Sequence, residues 1–244
     1  MIGMYMRLAR LRRFAPRVDR PDAGRIDTLY LDPEDWAIRF VLVAGDDPTV
    51  DPYAWLVSPM HVAGLDRQRE RFDLELRGAE PYECESTERH LRLSADEIEA
   101  IVAHYGLPVF WDGAGVWGDH DTPERLRCAA NGHAAAVRSP ELFPHTTLMG
   151  RPVFAPDGRL GVISDLLLDM TAWRVRYFIV WLQAPGETGE ILLSPFWVNG
   201  PPEKPRVTVP MTTETIVSGP TFAPEELEPL DERILAHYFG FLTE

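Results

Sequence analysis

Cysteine is scarce in this chain of 244 residues: Cys84 and Cys128 are the only two, too few for a disulfide framework. A reducing cytoplasm is the simplest compartment for it. Long apolar runs are missing as well. Spanning a bilayer takes roughly 18 consecutive apolar residues, and the longest apolar stretch, Tyr177 to Leu182, suits a buried strand instead. The opening MIGMYMRLARLRRF has no apolar core followed by a small-residue cleavage site, so it does not read as a secretory signal. Positive charge is in deficit, with a formal net charge of −14. That argues against a general nucleic-acid binder, which needs a basic surface to displace counterions.

The deficit is uneven. Arg7, Arg10, Arg12, Arg13, Arg17 and Arg20 crowd one segment that holds a single acid, Asp19. As a basic arm it would offer Arg10, Arg12 and Arg13 to an acidic partner or to anionic headgroups. As a strand edge it would use charge to discourage edge-to-edge pairing. Arginine spacing carries little specificity, which favours the strand edge.

What the chain does have is a repeat. Residues 24–43 read GRIDTLYLDPEDWAIRFVLV and residues 161–180 read GVISDLLLDMTAWRVRYFIV. Asp32 and Trp36 return as Asp169 and Trp173, both at an offset of 137. Trp55-Leu-Val-Ser-Pro-Met-His-Val62 is answered by Ile191-Leu-Leu-Ser-Pro-Phe-Trp-Val198, so Ser58-Pro59 matches Ser194-Pro195 at an offset of 136. Ala-His-Tyr closes both halves, at 103–105 and 236–238, with an offset of 133.

Strand signals dominate both copies. From Trp173 to Leu182 one face is apolar throughout, while the other begins with Arg174 and Arg176 and turns apolar. Copy one behaves alike around Arg39. Such strands fit a small closed barrel with an element packed over its rim. Ser94-Ala-Asp-Glu97 is a capping box, and Ile98, Ile101, Val102 and Tyr105 follow at helical spacing until Gly106. Leu230, Ile234, Leu235 and Tyr238 repeat that stripe, which reads as core. Residues 107–147 have no counterpart and are long for a linker. They read as a connector anchored by Trp111 and Trp117.

Few residues suggest chemistry. His120, Cys128 and His133, with Asp119 and Asp121 nearby, supply zinc-ligand types, but their spacing matches no zinc pattern. The reading is a polar loop, with no metal and no cofactor. Asp32 and Asp169 are read as turn residues whose carboxylates accept backbone N–H bonds two residues on. His104 and His237 fall at a packing boundary. Ser58 and Ser194 lack a nucleophile elbow, and Asp112-Gly-Ala-Gly lacks the lysine and spacing of a phosphate or dinucleotide loop.

Copy two carries Leu148-Met-Gly-Arg-Pro-Val153, Asp157-Gly158, Gly161, Asp165-Leu-Leu-Leu-Asp169, Trp173 to Val180, Ser194-Pro195 and Val207 to Ile216. In that order of glycine turn, Leu-Leu-Asp strand end, aromatic strand and Ser-Pro strand, the chain resembles the PRC-barrel domain, named for the cytoplasmic part of photosynthetic reaction-centre H subunits. Copy one lacks the glycine found at Gly150. The resemblance implies a mainly β fold: two small PRC-barrel-like β-barrels in tandem, each followed by a short helix. Their limits would be 1–106 and 148–244, with the irregular connector 107–147 between them.

The same resemblance implies docking modules, and hence a non-enzymatic, soluble scaffold that binds other proteins. Trp197 is the expected anchor, because His61 stands at its place in copy one and a core position would tolerate that exchange poorly. The two repeats are expected to pack together, and the sequence leaves homo-oligomerisation open. One alternative is a peripheral factor of a photosynthetic or other membrane complex that uses the arginine segment. Another is a metal-dependent enzyme using 107–147.

Overall fold

The structure is a computed structural model that describes residues 5–18, 24–45, 53–76, 78–85, 91–129, 137–183, 188–199 and 206–240. It is mainly β, with 38% strand and 25% helix. In chain order the first elements are β1 (Tyr5–Arg7), α1 (Leu8–Leu11), β2 (Ala15–Arg17), β3 (Arg25–Leu31), β4 (Ile38–Ala44), β5 (Tyr53–Val57), β6 (Val62–Asp66), β7 (Arg71–Leu74) and β8 (Tyr82–Glu85). Then come α2 (Ala95–Tyr105), α3 (Pro123–Ala129) and β9 (Phe143–Pro144). The rest are β10 (Pro152–Ala155), β11 (Gly158–Asp169), β12 (Arg174–Leu182), β13 (Glu190–Leu193), β14 (Val207–Thr208), α4 (Thr213–Val217) and α5 (Pro229–Tyr238).

Among the described residues the strands form three sheets, ordered β8-β5-β4-β3-β9, β2-β7-β6 and β13-β12-β11-β10-β14, with β1 on β11. Among the described residues none of these sheets closes into a barrel. In copy one the continuity a barrel needs is broken, because β2, β6 and β7 form a sheet of their own beside the five-stranded one.

The repeat is visible as topology. β2 runs parallel to β7 with Pro16 opposite Phe72, and β10 runs parallel to β14 with Val153 opposite Val207. One close approach also recurs. A Cβ on Gly24 would lie 2.2 Å from the Ala44 carbonyl oxygen, and one on Gly161 would lie 2.1 Å from that of Trp181. Gly161 and Trp181 stand to Gly24 and Ala44 at the same offset as Asp169 to Asp32. A glycine is therefore required at each place for the neighbouring strand to come this near.

The chain divides into two compact units that do not follow the sequence boundaries 1–106, 107–147 and 148–244. One comprises Arg10–Thr146 with Thr171–Arg174, and the other Met1–Ala9, Thr147–Met170 and Val175–Glu244. We call them the first-copy and second-copy units. The first strand of the chain lies in the second-copy unit, where Met6 pairs with Leu168. Phe143, which follows Met6 at that same offset, pairs with Leu31 in the first-copy unit. Each unit thus takes an edge strand from the segment that precedes the other copy.

Candidate functional site

Within the second-copy unit the core is built from Tyr5, Leu167, Tyr177, Ile179, Leu192, Trp197, Leu227 and Leu235, with Phe239 partly buried against it. Helix α5 supplies Leu235, 2% exposed, and Glu232, whose carboxylate takes two hydrogen bonds from Arg176, Nε to Oε1 at 2.5 Å and Nη2 to Oε2 at 3.1 Å. Burial, and then the negative charge of Glu232, raise the Tyr5 and Tyr177 hydroxyls above the usual phenol range.

With Glu232, Leu235, Ala236 and Phe239 turned inward, Leu230, Ile234 and Tyr238 are left 64%, 42% and 41% exposed, Tyr238 at the flank, where its hydroxyl donates to the Thr215 carbonyl at 3.1 Å. These three lie at i, i+4 and i+8 and form one continuous stripe. The sequence reading of this stripe as core is therefore corrected: Leu235 alone of the four is buried. The cause is register. The inward residues of α2 (Ile98, Ile101, Val102 and Tyr105) match Glu232, Leu235, Ala236 and Phe239 at an offset of 134. The capping boxes Ser94/Glu97 and Glu228/Asp231 and the left-handed glycines Gly106 and Gly240 agree with that offset. The Ala-His-Tyr identity is thus one residue out of phase with the packing, and the counterpart of Tyr105 is Phe239.

That register also decides Trp197 and His61. Both are buried, at 7% and 4% exposed. His61 lies against Tyr105 with ring centroids 4.5 Å apart, and Trp197 lies against Phe239 at 5.2 Å. A ring packed inside its own unit is not presented to a partner, so Trp197 does not fit the anchor role expected of it. The exchange is tolerated because the contact changes as a pair: polar His–Tyr in one copy, apolar Trp–Phe in the other. Phe196, beside Trp197, is the exposed ring, at 51%.

In the first-copy unit the most developed polar constellation surrounds Arg39. Its guanidinium donates to Asp32 (2.9 and 3.1 Å), to Asp35 (2.6 Å) and to the Val116 carbonyl, and lies 4.8 Å from the Phe110 ring centre and 5.0 Å from that of Trp117. Asp32 also accepts the Glu34 N–H at 3.1 Å, the turn bond expected of it. Burial raises the Asp35 carboxyl above the ordinary range, although Arg39 opposes the shift. This constellation ties the connector to copy one. Trp117 is fully buried and donates from Nε1 to the Ala172 carbonyl at 2.7 Å, and Trp111 donates to Val137 at 3.0 Å. The glycines of the Asp112–Gly118 loop serve close backbone approach: a Cβ on Gly113 would lie 2.2 Å from the Gly118 carbonyl carbon.

The other repeat residues are scaffold. Ser58 and Ser194 each cap a short 3-10 turn that begins at Pro59 or Pro195, accepting from Met60 at 3.3 Å and Phe196 at 3.4 Å. Trp36 and Trp173 are buried, and both adopt left-handed backbone, with φ of 64° and 52°. Trp36 packs on Phe143 and Trp173 on Phe72, so both rings belong to the first-copy unit. Asp169, at the end of β11, stays in the second-copy unit.

Of the residues with metal-ligating side chains, His120 lies in a tight turn, its backbone paired with Trp117, and Cys128 is exposed on α3. His133 falls outside the described residues. Among the described residues no group of three or more such side chains could hold a metal ion. The arginine segment is not a free arm over its described part: it forms β1, α1 and β2. Arg7 pairs with Glu190 at 2.5 Å and Arg13 with Glu70 at 3.1 Å, while Arg12 is exposed and Arg10 half-buried. Arg20 lies outside the described residues. No described helix is long and apolar enough to cross a membrane.

The chain matches no family model, and no curated protein matches it.

Proposed function

We propose that this protein is a non-enzymatic binding module for other proteins, built on a tandem repeat of PRC-barrel-like character, with the outer face of α5 as its principal contact surface. The observation that carries this reading is the exposure of Leu230, Ile234 and Tyr238 at successive helical turns. Single exposed apolar residues are ordinary, whereas a contiguous set is the informative case. Among the described residues seven large hydrophobics are exposed, and five of them (Trp181, Phe196 and the three on α5) belong to the second-copy unit. A helix face with anchors at i, i+4 and i+8 suits a partner that offers an apolar groove or helix.

The test is site-specific photo-crosslinking in the native host, with the crosslinker at Ile234, compared with the same protein carrying Leu230→Asp. The reading requires specific protein adducts that the Leu230→Asp protein loses. Adducts that persist unchanged would overturn it.

A further inference from the structure

One place in the repeat is built differently in the two copies. In the first-copy unit a cavity of about 460 Å³ opens between β5, β8 and α2. Its floor is apolar and buried: Tyr30, Leu56, Leu93 and Ile101. Its mouth carries the exposed Glu83, Arg92 and Glu97. In the second-copy unit the matching place lies between β13 and α5, where Leu192 and Leu235 stand for Leu56 and Ile101. There Ile216, Pro220 and Phe222, from α4 and the turn after it, occupy the space and leave a void of about 10 Å³, roughly one water. Gly219 makes that plug feasible, since a Cβ there would lie 3.1 Å from both the Phe239 and Tyr238 rings.

We infer that the first-copy cavity is a binding site for a small aromatic amine. The ring occupies the volume that Ile216 and Phe222 fill in the other copy. The floor removes it from water, which drives binding, and the size falls within the roughly 300–1,000 Å³ usual for small-molecule clefts. The charged end lies at the mouth, where, among the described residues, the Glu83 and Glu97 carboxylates outnumber the Arg92 guanidinium. Glu97 accepts the Ser94 N–H at Oε2, 2.7 Å away, as part of the α2 cap, so its Oε1 and the Glu83 carboxylate would take the cation. Arg92 lies 3.8 Å from Glu141, which draws its charge aside. The site belongs to the first-copy unit and is independent of the α5 surface, so Leu230→Asp should leave it intact.

The probe is tryptamine, with indole-3-propionate as the anion of similar shape and 3-methylindole as the neutral ring, titrated against the full chain by ligand-observed NMR and calorimetry. The expected result is saturable binding of tryptamine, at least tenfold tighter than that of indole-3-propionate. Cys84 is half-buried on β8 and lines the cavity. Cys84→Trp fills the space and should weaken tryptamine at least tenfold while the circular dichroism stays native. Should that variant not fold, Glu83→Gln decides: it should narrow the preference for tryptamine over 3-methylindole several-fold without changing 3-methylindole itself. Absence of saturable tryptamine binding to the unmodified chain, undiminished binding to folded Cys84→Trp, or an unchanged preference in Glu83→Gln would each overturn the assignment.

Discussion

The guanidinium of Arg39 lies on the carboxylate of Asp32, with Nη2 and Nε 2.9 and 3.1 Å from the same oxygen, and both side chains are almost wholly removed from solvent. Asp32 ends β3, Arg39 lies in β4, and the aromatic connector residues Phe110 and Trp117 close over the pair. Arg39 therefore links the turn of copy one to the connector. Arg39→Ala leaves Asp32 charged, buried and unpaired, which should cost about 3–5 kcal/mol. Arg39→Lys should recover only part of that, because an ammonium neither forks nor stacks. Urea unfolding midpoints decide the matter, and a cost below about 1 kcal/mol for Arg39→Ala would show the pair to be incidental.

Trp117 fastens the connector by a single buried donor, its Nε1–H to the Ala172 carbonyl at 2.7 Å. Trp117→Phe keeps the ring contacts with Phe110 and deletes the bond. The expected loss is about 1–3 kcal/mol, the cost of an unsatisfied buried acceptor. Limited proteolysis should then cut between residues 107 and 129 earlier than in the unmodified protein. Identical cleavage kinetics would contradict this role.

Met6 is fully buried opposite Leu168, in the unit of the other copy. Met6→Ala should cost about 2–5 kcal/mol, as buried Met-to-Ala truncations do. Hydrogen exchange should locate the loss at β11 and not at β3. Faster exchange confined to β3 would be incompatible with the pairing of β1.

The Glu190 carboxyl is held below its ordinary range, first by the hydrogen bond from Arg7 and then by its charge, with burial opposing both. A depressed folded-state value means that this stabilisation is fully present above the unfolded value of about 4.5, and is lost as pH falls through the folded value. Asp165 has the opposite sign: burial raises it, against the N–H groups of Leu166 and Ala9, so stability gains as it takes up a proton. Glu190→Gln should cost no more than about 1 kcal/mol at pH 7, given a half-exposed pair. Its deficit should vanish in acid while Asp165→Asn narrows the gain on acidification. Chemical denaturation from pH 3 to 7 measures both, and a Glu190→Gln deficit that grew in acid would refute the sign.

On α5 two neighbouring residues should separate cleanly. Leu235→Ala empties a core site and should cost about 2–5 kcal/mol, whereas Ile234→Asp lies on the outer face and should fall within about ±0.5 kcal/mol. Thermal denaturation distinguishes them, and a large loss from Ile234→Asp would return the stripe to the core.

Much of this arrangement was legible because its causes are local. The Ser94/Glu97 cap and the Asp32 turn follow from a side chain and its near neighbours in sequence. The α5 stripe was misread because Glu232 is polar and yet faces inward. A carboxylate can do so only where a distant arginine, Arg176, meets it, and periodicity holds no record of that partner. Trp197 was misread for the same reason, since Phe239 is brought to it by the fold. The cavity beside Cys84 has no signature in sequence, because it is a comparison between what two helices pack upon.

By itself the sequence determined the duplication, the β character, the capped helix α2 and the turn at Asp32. These depend on alternation, capping and steric demands within a few residues. Tertiary structure alone decided that Met6 and Phe143 pair with the opposite copies, that Trp36 and Trp173 lie in one unit, and that α5 turns Leu230, Ile234 and Tyr238 outward. Each of these depends on long-range hydrogen bonding and burial, where two helices of nearly the same sequence pattern differ in which carboxylate or ring waits opposite.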